Sequence, residues 1–472
     1  METCDPPSLP EPPRAGAAGR SRPWGERRSA RRRCADVSLR QTPQCRRPLP
    51  GYRSVTGFRA IRGARTQSGH GRTWADTGRL GRTGGSALGA RSIPRLTAVL
   101  AAGLASAAFQ NAPPPVLEAE TSGTLTLPDR TDHWLYIAGN RGSFTIVDTD
   151  EGKVLGTIHG GRAPVLALSP DDEEYYVSES YWAKENRGER FDMVTVYDAR
   201  TLELTEEIEL PGRLIASGRI PFFSTSADGS LGYVFNLEPA SSVQVVDLDG
   251  KRFLNTVEIP GCGLIFPFGD DGFASLCADG ALATVMLDDA GAGSMVTSAP
   301  FFDAENDPVF EESPVDRRTG EALFITYSGQ VNPVMLGAEP QFAEPWSIQR
   351  AAGLSAAEAD VEQETWRPGG RRPFAVHRDS GMLFVLMHTG THWTQKEHGI
   401  EVWAIDTHTK DLKGRFDLPT SGRAIAVSQD DDPLLYVSGD GGWLWIMDPD
   451  TGKIVRQMPE MGRAGMMLVP GF

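Results

Sequence analysis

Leu434-Leu-Tyr-Val-Ser-Gly-Asp-Gly-Gly-Trp-Leu-Trp-Ile-Met-Asp-Pro-Asp-Thr-Gly-Lys453 reads as a β-hairpin that turns into a third strand. Leu435 to Val437 is a short β-prone run, Gly439 to Gly442 is turn chemistry, and Trp443 to Met447 is a second apolar run. Asp448-Pro-Asp-Thr-Gly452 then turns the chain toward Ile454 to Met458. The same three-strand unit stands near the other end, as Leu135 to Gly139, Phe144 to Asp148, Asp150 to Lys153 and Val154 to Ile158. A unit that recurs at a fixed period marks a repeat architecture.

Aligning the residue that ends the middle strand gives Asp148, Asp198, Asp247, Asp288, Gly337, Asp406 and Asp448, at steps of 50, 49, 41, 49, 69 and 42 residues. That is the period of a four-stranded propeller blade with one large insertion. A lone Asp after a strand is an ordinary turn residue, so the spacing carries the signal. Small apolar runs before the units, Val165 to Ser169, Phe222 to Ser226, Pro373 to His377 and Ala424 to Ser428, suit inner strands crowded at an axis. Gly465 to Val469 is such a run with no unit after it, and the first unit has none before it. The last strand should therefore complete the first blade and close the ring, which removes exposed sheet edges. The reading is all-β, a seven-bladed β-propeller.

The first 95 residues differ in kind, with 20 Arg against 6 acidic residues, no Lys and no periodicity. Residues 1–90 read as a disordered leader, either translated from a misplaced upstream start or processed, rather than as a nucleic-acid arm. Residues 91–108 follow as a secretory signal peptide. Arg91-Ser-Ile-Pro-Arg95 is its basic region, Leu96 to Ala108 carries no charge, and Ala105-Ser-Ala-Ala108 supplies the small residues of a cleavage site. That apolar run is too short to span a bilayer. Export to the periplasm is the expectation, with no membrane anchor. Taking the leader's 20 and 6 from the chain's 47 basic and 62 acidic residues leaves 27 against 56, an acidic mature protein unsuited to nucleic acid.

Cys262 and Cys277 are the cysteines left beyond the leader, flanking Phe266-Pro-Phe268 and Asp270-Asp-Gly272. In an exported chain such a pair, one on each of two strands, makes a disulfide clipping a blade, the alternative being two free buried thiols. Leu354 to Asp360 is the one segment that reads as a helix, with Ser355 and Glu358 spaced as a capping box. Of His388, His392 and His398, the first two would share a face only on a helix, and Thr389-Gly-Thr391 between them argues for a hairpin loop instead, so no metal site is expected. No nucleophile elbow, nucleotide loop or Cys–His pair occurs in the mature region, and no catalytic residue is expected on this chain.

One family shares this order of motifs: Gly160-Gly161, Arg187-Gly-Glu-Arg-Phe-Asp192, Val196-Tyr-Asp198, Ser226-Ala-Asp-Gly229, the two cysteines around Ile265-Phe-Pro267, Leu354 to Asp360, Trp366-Arg-Pro-Gly-Gly370, Val427-Ser-Gln-Asp430 and Pro433-Leu-Leu-Tyr436. The chain resembles, from 116 to 472, the heavy subunit of the quinoprotein amine dehydrogenases that act on methylamine and aromatic amines. The resemblance implies a periplasmic propeller in a complex of two heavy and two light subunits. It also implies that the tryptophan tryptophylquinone cofactor and the catalytic carboxylates sit on the light partner, and that electrons pass to a type I copper protein. The methylamine enzymes carry an aromatic residue after the Gly-Gly pair, lining the substrate channel. Here that position is Arg162, a candidate channel residue whose charge would repel a small ammonium. A stand-alone exported propeller that binds a protein or ligand is the other reading.

Overall fold

The computed structural model describes residues 126–139, 142–216, 218–461 and 465–471. The stretches expected to be a leader (1–90) and a signal peptide (91–108) lie outside the described residues. No described helix is long and apolar enough to cross a membrane.

The chain is a β-propeller, each blade an antiparallel meander. The first blade orders β28 (Met467–Leu468), β1 (Trp134–Ala138), β2 (Ser143–Asp148) and β3 (Lys153–His159). The second runs β4 (Arg162–Leu168), β5 (Glu174–Lys184), β6 (Arg187–Asp198), β7 (Leu204–Leu210). The third is β8 (Phe223–Thr225), β9 (Leu231–Asn236), β10 (Ser242–Asp247), β11 (Arg252–Glu258). β12 (Cys262–Phe268), β13 (Gly272–Cys277), β14 (Leu282–Leu287) and β15 (Gly293–Thr297) make the fourth. The fifth holds β16 (Glu321–Ile325), β17 (Gln330–Met335) and β18 (Gln341–Phe342), with β19 (Trp346–Ser347) on β17. The remaining strands are β20 (Thr365–Pro368), β21 (Phe374–His377), β22 (Met382–Gly390), β23 (Gly399–Asp406), β24 (Asp411–Val427), β25 (Leu435–Gly439), β26 (Leu444–Met447) and β27 (Ile454–Met458), in one eight-stranded sheet.

The expectation of seven separate blades is therefore corrected: the structure has five four-stranded blades and this eight-stranded sheet. The repeat steps count the units rightly but assume that a turn separates each from the next. β24 makes no turn. Its 17 residues pair with β23 from Asp411 to Asp417 and with β25 from Gly422 to Val427. Pro419 falls between the two paired stretches, where no ladder needs its missing N–H, so the strand continues through it.

The period-marking residues lie where the spacing puts them. The Asp148, Asp198, Asp406 and Asp448 carboxylates each accept two backbone N–H groups from the residues two and three positions on, at 2.7–3.0 Å. These are turns closed by the side chain. The ring closes as expected, with Met467 opposite Ile137 and Leu468 opposite Tyr136. Apolar side chains of neighbouring sheets meet between them. At the seam Leu135 and Ile137 pack with Ala424, Tyr436, Leu444 and Met467.

The helix over Leu354 to Asp360 is a second correction. The α-helix α1 is Ile348–Ala351, capped by Ser347, and 354–360 is irregular. Arg367, buried beside this segment, donates to Glu358 O at 2.8 Å, and Glu358 N–H donates to the Gln363 side chain at 2.7 Å. Both backbone groups of Glu358 are thus taken by tertiary partners that a local capping signal does not reveal.

Cys262 and Cys277 stand directly opposite each other on β12 and β13 and are joined as a disulfide. Closing a loop of this length stabilises by roughly 3 kcal/mol in the chain-entropy account. Cys262→Ser is expected to lower the thermal midpoint while leaving the β circular dichroism intact. Equal midpoints for wild type and variant under oxidising conditions would remove the disulfide from the stability of the fourth blade.

Candidate functional site

In a meander, the β1–β2 and β5–β6 hairpins emerge on the same face as the crossing from one blade's outer strand to the next blade's inner strand. Gly160-Gly161 is such a crossing, between β3 and β4, and three backbones converge on it. Gly160 N–H donates to Gly142 O at 2.8 Å. A Cβ on Gly142, which has φ +80°, would stand 2.9 Å from the carbonyl oxygens of both Gly160 and Gly161. A Cβ on Gly161 would stand 2.5 Å from Ser180 O. Only glycine permits an approach this close.

Beneath the turn lies a buried polar network. Glu179, on β5, accepts the Gly161 N–H and the Thr195 hydroxyl, each at 2.5 Å. Burial pushes its carboxyl up, and the bonds from Thr195 and Gly161 pull the other way. Arg213, 3% exposed, donates from Nε to Ser178 Oγ and from Nη1 to Ser180 Oγ and Arg162 O, all at 3.0 Å, and from Nη2 to Ala163 O at 2.6 Å. Burial pulls its pKa down to about 10. Two of those four acceptors are main-chain carbonyls of the crossing, so Arg213 fixes Ala163 in its left-handed conformation at φ +46°. The long β5–β6 hairpin joins the network through its Arg187-Gly-Glu-Arg insertion. Arg190 donates to Asp192 at 2.9 Å and to Arg213 O at 2.5 Å.

Arg162 has its main chain held by this network and its side chain exposed on the surface. Its charge is therefore presented outward from the turn. Nearer the axis on the same face, Arg219, Arg371, Lys396 and Arg423 surround a cavity of about 290 Å³ that also receives Glu311 and Glu312. The lining of this cavity carries more cations than carboxylates although the chain is acidic.

The three histidines separate. His388 is buried on β22, His392 donates from Nε2 to Asn306 O at 2.6 Å, and His398 pairs with Asp440 at 3.0 Å. Among the described residues no group of three metal-ligating side chains converges. Trp366 and Trp403 rings lie 5.4 Å apart, yet Arg415 covers both at 4.7 Å and Trp403 Nε1 donates to Glu401 at 2.7 Å. This is a cation–π stack on a buried indole, and its geometry does not suit a tryptophan-derived quinone, whose carbonyls must meet a substrate.

Sequence reasoning placed the Gly-Gly turn and the cysteines but did not find Glu179 or Arg213. A single acid inside Tyr175-Tyr-Val-Ser-Glu-Ser180 was the available signal, a charge on a strand otherwise buried.

Comparison with known proteins now decides the family. The sequence model described as methylamine dehydrogenase heavy chain (MADH) matches residues 136–470. The chain belongs to the methylamine dehydrogenase heavy chain family. It is 31% identical to the methylamine dehydrogenase heavy chain of Methylorubrum extorquens over 335 residues, covering 69% of this chain and 78% of that one. The heavy chain of Paracoccus versutus is 29% identical, covering 68% and 74%, and that of Methylobacillus flagellatus 28%, covering 67% and 78%. The matched region begins within β1 and ends just past β28, so it takes in the closed ring. This is an amine dehydrogenase heavy chain in fold and family.

Proposed function

We propose that this chain is the non-catalytic heavy subunit of a periplasmic amine dehydrogenase that oxidatively deaminates primary amines. A light subunit docks on the face bearing the Gly160-Gly161 turn and carries tryptophan tryptophylquinone, which takes the electrons from the amine and yields them to a type I copper protein. Two heavy and two light chains make the complex. The observation that carries the reading is the family match across the whole propeller. The rigid Gly160-Gly161-Arg162 turn supports it, because a surface that must cover a partner's active site has to be held in one shape before docking.

In this arrangement the chain's own residues orient and exclude. Glu179 and Arg213 hold the turn, the β5–β6 hairpin walls it, and Arg162 sets the charge at its edge. A small ammonium passing close to Arg162 is repelled by on the order of 1 kcal/mol in a water-like environment and by more in a desolvated one. The amine that suits this entry is accordingly bulkier than methylammonium, its charge held farther from the turn.

Steady-state amine oxidation with a dye acceptor tests both statements. The isolated heavy chain should show no turnover, and mixing with the light subunit encoded beside it should restore it. Turnover by the heavy chain alone, or a mixture that neither associates nor reacts, would overturn the assignment. In the reconstituted complex Arg162→Phe should shift kcat/KM toward methylamine relative to benzylamine by about fivefold, the ratio that ~1 kcal/mol gives. An unchanged ranking would place Arg162 away from the entry.

A further inference from the structure

The inner edge of the fifth blade is irregular. Where other blades have an inner strand, residues 309–315 make no continuous ladder with β16 but meet it at the isolated bridges Val309–Thr326 and Val315–Ala322, with the Ile325 N–H donating to Ser313 Oγ between them. A cavity of about 520 Å³ opens beside it, against the eight-stranded sheet, within the range of small-molecule sites. Ile220, Phe266, Val334 and Phe374 are among its apolar walls.

Its enclosed charges do not balance, although the rim evens the total. The cavity receives Glu312, Asp316, Arg317, Arg372 and Arg378, with the exposed Glu321, Glu344 and Lys410 at its rim. Glu312 acts on Arg372. Asp316 is then the carboxylate shared by Arg317, Arg318 and Arg378, with Asp379 adding a weaker attraction on Arg378. Arg318 Nε lies 3.5 Å from Asp316 and Arg378 Nε 4.0 Å, Arg378 being 12% exposed and Asp316 9%. Arg378 Nε makes no hydrogen bond, whereas its Nη2 donates to Gly471 O. Arg317 spends Nη1 on Thr225 Oγ1 at 2.5 Å. Of the three guanidiniums enclosed with Glu312 and Asp316, one charge is thus left over beside an apolar chamber, and a buried guanidinium N–H without an acceptor costs free energy that an anionic ligand would recover.

We propose that this cavity binds a small amphiphilic organic carboxylate, its carboxylate on Arg378 and Arg317 and its hydrocarbon body along Phe266, Val334 and Phe374. A planar carboxylate matches the guanidinium fork, and a single charge suits an apolar chamber better than a strongly hydrated dianion. The site opens near the side-chain-closed turn at Asp406, on the face away from the Gly160-Gly161 turn, and does not depend on the subunit role.

Titration calorimetry of the full heavy chain with octanoate, octylamine and octan-1-ol tests it. Octanoate should bind at least tenfold more tightly than octan-1-ol, and octylamine more weakly than either. Arg378→Gln and Arg317→Gln should each remove most of the octanoate preference while leaving octan-1-ol unchanged. No octanoate binding, equal affinity for octanoate and octan-1-ol, or preference for octylamine would overturn the proposal. The ranking on the wild-type chain decides this even if neither variant folds.

Discussion

Deleting residues 465–472 is expected to make the chain aggregate. β28 is the strand that closes the first blade, so its loss bares the edge of β1 from Tyr136 to Ile137 and opens the ring. The same strand fills the seam. Met467 is fully buried among Ile137, Ala424 and Leu444, and Arg372 Nη1 donates to its carbonyl. Met467→Ala alone should cost about 2–5 kcal/mol, the range for truncating a buried methionine. Size-exclusion chromatography and denaturant unfolding read both. A deleted chain that elutes as a monomer with the wild-type midpoint would show that the ring does not depend on this strand.

The seam has a pH-dependent clasp as well. His133 Nδ1 meets Asp150 at 2.9 Å and its Nε2 meets Asp430 at 3.2 Å. Burial opposes the charged ring, but the hydrogen bond and charge of Asp150 and the charge of Asp430 outweigh it and raise the pKa above 6.5. A raised histidine gives its full stabilisation below its unfolded pKa and loses it as pH climbs through the folded value. Wild type should therefore lose stability at this seam as pH rises from about 6.5 upward, and His133→Gln should flatten that slope. Identical slopes in the two proteins would exclude the clasp.

Replacing Arg213 by methionine is expected to destabilise the chain by about 3–5 kcal/mol, the cost of removing one member of a buried charge network. The substitution leaves Arg162 O, Ala163 O and two serine hydroxyls without this donor and removes a positive charge acting on Asp192 and Glu179, of which Asp192 keeps its pair with Arg190. Ala163 then has nothing to hold its left-handed backbone, so the Gly160-Gly161 turn should relax. Arg213→Lys should rescue little, since one ammonium cannot reach four acceptors spread across a planar fork. Urea unfolding measures the stability, and light-subunit affinity measures the turn. A loss under about 1 kcal/mol, or full rescue by lysine, would mean that the network is not what fixes the crossing.

Much of this architecture was legible in the chain. The repeat of apolar runs at a near-constant period fixed the propeller class, because each blade is a local meander whose turns carry their own Asp and Gly chemistry. Asp148, Asp198, Asp406 and Asp448 make their hydrogen bonds within three residues, so spacing alone located them. The cysteines paired for the same reason, lying on adjacent strands of one hairpin. The closing strand was found as an unmatched run at one end and an unmatched unit at the other.

What the tertiary structure alone decided depends on partners far apart in sequence. The blade count changed because β24 stays extended through Pro419, which only its two flanking ladders reveal. The helix at 354–360 gave way to Arg367, a cation whose donors are aimed by the fold and not by the local capping pattern. Glu179 and Arg213 became the floor of the Gly160-Gly161 turn because β5 and the loop after β7 bring them under Gly161 and Ala163. Local hydrogen bonds and periodicity are written in neighbouring residues. Buried charge is placed by the packing of whole blades, and a strand pattern marks such a residue only as an exception.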